Sequence, residues 1–148
     1  MQTFLPYPDF VESAKCLDYR RLGKQRLEVR QVLDSISGKI KGWVNHPCAT
    51  MWRDNTDALV EYGVAICQEW KRRGYKDKME EDILAHRSGK PVTYPWWLGD
   101  EDFHISHQSN LVKKKPEYYG PMFPEIEPNL LYLWPTEDHQ YRVIPPKN

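Results

Sequence analysis

Apolar positions recur at helical spacing over most of the first 115 residues, and glycines and prolines cut the pattern into segments. Between Asp18 and Ser37, Leu22, Val29, Leu33 and Ile36 follow one another at steps of 7, 4 and 3, and Gly38 offers a stop, which predicts a helix. Leu59, Gly63, Ile66 and Trp70 form a second stripe, opened by the cap residues Asn55-Thr56-Asp57 and closed at Arg73 before Gly74. Asp9 with Glu12 three positions later is a helix-start signal, and Pro47 suits the first turn of a short helix reaching Arg53. Lys78 to Arg87, ending at Gly89, and Asp100 to Lys114, acidic at its start and basic at its end, complete the helical set. Beyond Pro116 the chain holds Pro121, Pro124, Pro128, Pro135, Pro145 and Pro146, so regular structure there should be brief, with the tail wrapping across the helices. Within it, Leu130 to Trp134 reads either as a core anchor or as one short strand. The expectation is an all-α fold: one compact domain over 1–148, of about four to six helices, with a proline-rich irregular C-terminal tail.

Composition refines this picture. A chain of 148 residues suits one core, and six Trp with nine Tyr imply that some rings lie outside it. No apolar run approaches the roughly 18 residues that span a bilayer, and the start of the sequence lacks signal-peptide features, so a cytoplasmic protein is expected. Cys16, Cys48 and Cys67 lack C-x-x-C spacing and are expected as free thiols. Net charge is zero, which argues against a surface that is basic throughout. The charge is nevertheless uneven: residues 1–43 carry eight Lys/Arg against five Asp/Glu, and residues 71–115 carry ten against seven. Either a modest basic face or a solvated mixture fits that count.

Three groups of residues are candidates for chemistry. Asp18, Arg21, Gln25 and Glu28 follow at steps of 3, 4 and 3 along the border of the apolar stripe, with Lys24 beside them. A carboxylate at such a border can have its pKa raised and serve as general acid or base; an ordinary ladder of ion pairs gives the same spacing. His104, His107 and Asn110 lie on neighbouring faces of the helix before Pro116 and read as a ligand pocket or as packing histidines. The remaining donors, His46, Cys48 and His86, lack metal-site spacing, so no metal is expected. Tyr94-Pro95-Trp96-Trp97 and Lys113-Lys114-Lys115-Pro116-Glu117-Tyr118-Tyr119 interleave rings with positive charge, a mixture that suits nucleic acid as well as core packing.

Taken together, Asp18-Tyr19-Arg20-Arg21-Leu22-Gly23-Lys24-Gln25-Arg26-Leu27-Glu28, the block from Asn45-His46-Pro47 to Met51-Trp52-Arg53, Trp70-Lys71-Arg72-Arg73-Gly74-Tyr75, and Phe103-His104 through Tyr118-Tyr119-Gly120-Pro121 resemble the pyrimidine-dimer DNA glycosylases, the endonuclease V family. The resemblance implies a helical domain that kinks duplex DNA and reaches a damaged site by base flipping. It also implies an attacking amine on an N-terminal Thr and an assisting Glu on the first long helix. Here Thr3 follows Gln2, a residue too large for the usual removal of Met1, and Arg21 stands where the Glu would fall.

The resulting expectation is a DNA N-glycosylase or related hydrolase acting on a damaged or modified base, without the lyase step and without a cofactor. Glu28 or Asp18 would be the catalytic carboxylate, and Arg20, Arg21, Lys24, Arg26, Lys113 and Lys115 would contact duplex DNA. Gln25, His104, His107, Asn110, Trp97 and Tyr119 would line a base pocket. The alternatives are a catalytically silent DNA-binding protein and an enzyme of free nucleotides.

Overall fold

A computed structural model describes residues 1–42 and 44–144, with Ile144 described by its backbone. Seven helices are present among the described residues: α1 (Phe10–Cys16), α2 (Tyr19–Ile36), α3 (Pro47–Trp52), α4 (Thr56–Arg72), α5 (Glu80–Leu84), α6 (Glu101–Lys114) and α7 (Pro116–Tyr119). A two-stranded antiparallel hairpin, β1 (Tyr132–Pro135) and β2 (Tyr141–Ile144), closes the fold, with Tyr132 opposite Ile144 and Pro135 opposite Tyr141. The molecule is predominantly helical. The tail therefore forms one more strand than the apolar run suggested, and β1 packs on α3 and α6.

Local chemistry sets the ends of these helices. The Asp9 carboxylate accepts from Glu12 N at 2.9 Å and Asp100 accepts from Asp102 N at 3.2 Å, each satisfying an otherwise orphaned donor. Gly38 and Gly74 end α2 and α4 at φ of 79° and 95°, a conformation that costs other residues dearly. Helix α5 is shorter than the Lys78–Arg87 segment predicted. The Asp77 carboxylate takes the backbone N–H groups of Met79 and Glu80, so the helix starts after this cap.

Helices α1, α2, α3 and α5 all pack on α4 or on its partner α2, around one apolar core that includes Leu22, Val29, Leu59 and Ile66. The closest approach is at Gly63, where an added Cβ would stand 2.7 Å from Val29 and 3.0 Å from Ile83. Cys16, Cys48 and Cys67 are buried free thiols. Among the described residues no helix is long and apolar enough to cross a membrane.

Candidate active site

The site begins with the segment 2–6, which lies outside regular secondary structure and is largely buried. Buried backbone groups need partners. Here they come from side chains on either side. From α2, Gln25 Oε1 accepts Phe4 N at 3.1 Å and Gln25 Nε2 donates to Gln2 O at 2.8 Å. The Tyr62 hydroxyl of α4 donates to Phe4 O at 2.6 Å. From α6, His104 Nδ1 donates to Leu5 O at 2.8 Å, His107 Nδ1 accepts Leu5 N at 3.0 Å, and Gln108 Nε2 donates to Pro6 O at 2.8 Å. Even the Thr3 hydroxyl is enclosed, accepting from Trp52 Nε1 at 3.0 Å.

These contacts assign the polar residues expected to line a pocket. His104 and His107 are 4% and 1% exposed and grip the C=O and the N–H of one residue, Leu5. Because Leu5 O must accept, His104 carries its proton on Nδ1; because Leu5 N must donate, His107 carries its proton on Nε2. Burial lowers the pKa of both, that of His107 to about 3, so the rings are neutral clamps. Trp97 is fully buried between Trp52 and Phe103, with ring centroids at 4.9 and 4.6 Å. Tyr119 is fully buried too, its hydroxyl donating to the Asp18 carboxylate and accepting Asp18 N at 2.9 Å. Asn110 hydrogen-bonds the buried Tyr132 hydroxyl.

Where the segment emerges, it borders a cleft of about 320 Å³. Gln2, Phe4 and Gln25 supply its neutral wall; Arg20, Arg21 and Lys24 from α2 and Lys114 from α6 supply cations. Glu28 is its single lining carboxylate among the described residues. Glu28 Oε2 accepts Gln25 Nε2 at 2.8 Å. Burial pushes its carboxyl above the usual carboxylate range, against the opposing pull of the Met1 amine, Lys24, the Gln25 hydrogen bond and Lys114. The Met1 amine also acts electrostatically on His46 and Cys48, and Met1 is not among the residues that line the cleft.

The other charged candidates lie elsewhere. Asp18 is 3% exposed and stands at the N-cap position of α2, its carboxylate turned to Tyr119 and Arg21 and making no capping hydrogen bond. Burial alone would raise its carboxyl, but the Tyr119 hydroxyl and Arg21, whose guanidinium is 3.2 Å away, together hold it below the usual range. It does not line the cleft. Arg26 turns to Asp77 at 2.6 Å and lies 4.5 Å over the Trp70 ring, tying α2 to the approach of α5. Lys115 lies 5.5 Å over the Tyr118 ring, and Lys113 does not line the cleft. Lys114, the middle of the three lysines, does, and a run of like residues gives no signal for which one faces inward.

Among the described residues the exposed rings are Tyr19, Tyr75, Tyr94, Trp96 and Tyr118, not the two expected to stack on a base. Among the described residues no group of three or more His, Cys, Asp or Glu is arranged to hold a metal.

Comparison with protein families matches residues 1–82 to the pyrimidine dimer DNA glycosylases. The chain belongs to that family. The match takes in α1 to α4 and with them Arg20, Arg21, Lys24, Gln25 and Glu28; Lys114 and the α6 clamp lie beyond it. Comparison with curated proteins and with solved structures gives no match. DNA glycosylase activity is the chemistry of this family, and the cleft brings Glu28 together with Arg20, Arg21, Lys24 and Lys114.

Proposed function

We propose that this chain excises a damaged or modified base from duplex DNA, with Glu28 as its catalytic carboxylate. One observation carries the reading: a carboxylate whose pKa is raised by burial stands in a cleft whose other charged walls are all cations. Arg20, Arg21, Lys24 and Lys114 suit the phosphates flanking a flipped nucleotide, and Glu28 suits the sugar, whose C1′ becomes positive as the base departs.

The attacking group is the finer question. The sequence favours water, because the Thr3 amine is locked in a peptide bond. The reach of the Met1 amine to Glu28 favours the amine. In that route the neutral nitrogen bonds to C1′, the C1′–base bond breaks with its electron pair leaving on the base, and Glu28 takes the proton that the nitrogen sheds. Opening of the sugar then leaves a Schiff base, which is the entry to strand cleavage.

The test is Glu28→Gln on a duplex carrying a pyrimidine dimer. Glycosyl-bond cleavage at the dimer, read as an alkali-labile abasic site, should be lost at unchanged duplex affinity, and the melting temperature should hold, because the amide keeps the volume. Undiminished cleavage removes Glu28 from the chemistry. Borohydride trapping, with the crosslinked residue mapped by mass spectrometry, decides the nucleophile: a Met1 adduct supports the amine, and cleavage without an adduct returns the role to water. Tight duplex binding also argues against an enzyme of free nucleotides, which would share the cationic cleft.

A further inference from the structure

The hairpin and the cleft are joined by one unbroken run of hydrogen bonds. Asn110 of α6 hydrogen-bonds the Tyr132 hydroxyl on β1, and Gln2 Nε2 donates to the same oxygen. The backbone carbonyl of Gln2 accepts Gln25 Nε2 at 2.8 Å, and the second proton of that amide goes to Glu28 at 2.8 Å. Gln25 is fully buried, and its oxygen accepts Phe4 N and lies 2.8 Å from the Tyr62 hydroxyl, whose one proton is shared with Phe4 O, so the amide has a single orientation. The orientation of the Glu28 carboxylate therefore depends on the position of Gln2, and Gln2 is held at its far end by Tyr132.

We infer that Tyr132 is a positioning residue for Glu28, acting through Gln2 and Gln25, so that the C-terminal hairpin sets the geometry of a site built mainly on α2. Tyr132 suits that task. It is 9% exposed, and its ring packs 5.0 Å from the His107 ring and 5.1 Å from the Trp134 ring, so the hydroxyl is fixed by its surroundings. Burial, then Cys48, raises its pKa, so the phenol stays neutral and keeps both hydrogen bonds throughout the working range. None of these residues is a DNA-contacting cation, which separates a positioning role from a binding one. The cations that act on Glu28 are the Met1 amine, Lys24 on its own helix and Lys114 on α6, with Arg20 and Arg21 on the same cleft, and the buried Cys48 of α3, Tyr62 of α4 and Tyr132 of β1 are within its electrostatic reach; a change in Glu28 titration must be read against all of them.

The inference rests on the glycosylase reading for its effect on activity, but not for its effect on structure. Tyr132→Phe keeps the ring and removes the hydroxyl; Gln2→Leu removes the same bond from the other side. Each should lower the single-turnover rate of glycosyl-bond cleavage by roughly 10- to 100-fold, the scale expected for a reacting group displaced by up to about 1 Å. For Tyr132→Phe, which lies outside the cleft lining, affinity for the dimer-containing duplex should stay at the wild-type value, and in both variants its salt dependence should be unchanged, since neither removes a cation. The double variant should be no slower than Tyr132→Phe alone, because the Gln2 bond is already absent there.

Carboxyl-carbon NMR of Glu28 is the arm that needs no turnover. All three variants should show the same displaced titration midpoint, with the melting temperature nearly unchanged. Additive rate losses, a loss of affinity that matches the loss of rate, or a Glu28 titration identical to wild type would overturn the inference. If wild-type protein cleaves no glycosyl bond, the glycosylase reading fails and the NMR arm alone decides. If Tyr132→Phe does not fold, Gln2→Leu carries the test.

Discussion

Replacing Gln25 by Met tests whether the start of the chain is held by side-chain hydrogen bonds. The two side chains are close in volume, so the perturbation is the loss of polar atoms. Phe4 N–H, buried against Gln25 Oε1 at 3.1 Å, is left with no acceptor, at a cost of about 2 kcal/mol. The bonds to Gln2 O and from the Tyr62 hydroxyl, both at 2.8 Å, are worth about 1 kcal/mol each, since Tyr62 keeps Phe4 O and Gln2 O is only partly buried. The sum is about 4 kcal/mol, a fall in melting temperature of roughly 8–16 °C for a chain of this size.

Urea unfolding at pH 7 measures the loss. A companion variant, Gln25→Glu, keeps the acceptor for Phe4 N–H but sets a second buried carboxylate against Glu28. The new carboxyl would be forced above its unfolded pKa. The variant should therefore come closest to wild type below the unfolded pKa, about 4, and fall away as pH rises through the folded value. A loss under about 1 kcal/mol for Gln25→Met, or a Gln25→Glu variant that gains on wild type as pH rises, would refute the claim that this amide holds the segment.

Two more outcomes follow from the assigned contacts. His107, held neutral to about pH 3, should cost wild type about 2 kcal/mol between pH 8 and pH 5, because the unfolded ring takes a proton below about 6.5 and the folded one does not. His107→Asn, whose amide oxygen can replace Nδ1 as acceptor for Leu5 N, should lose that much less; equal slopes in denaturant titrations would remove His107 from the acid sensitivity. Arg21→Ala and Lys24→Ala should each reduce the slope of log affinity against log salt by about one unit on duplex DNA. Arg26→Ala should keep the slope and instead lose about 2 kcal/mol of stability, since its partner is the 1% exposed Asp77 side chain.

How much of this could be read from sequence varies with the kind of contact. Helix limits were legible because caps are local: Asp9, Asp100, Gly38 and Gly74 act within a turn of where they stand. Glu28 was legible as a boundary residue because the wheel of α2 is set by its own apolar stripe. Asp18 was ambiguous for a physical reason, since an acid just before a helix is both a candidate base and a normal cap. The roles of His104, His107 and Gln25 were not legible. Their partners belong to a segment that has no periodic signature, and polar side chains that satisfy buried backbone look in sequence like polar side chains that await a ligand. Lys114 was hidden among its neighbours because which of three lysines faces the cleft depends on how α6 docks.

The same clamp constrains the order in which the molecule can assemble. Leu5 is held by residues 99 and 102 positions downstream, Asp18 by one 101 downstream, and Gln2 by one 130 downstream. At about 5–20 residues per second, the ribosome exposes the opening segment some 5–20 seconds before its α6 partners exist. During that interval Gln25 and Tyr62 can already receive Phe4, but the N–H and C=O of Leu5 have no partners, because the family-matched portion alone lacks the histidines that hold them. Such long-range closures are formed late and slowly. Nascent chains released before α6 should therefore display a leader whose Leu5 backbone groups are unpaired, so that yield in a cell depends on synthesis speed, temperature and chaperone supply.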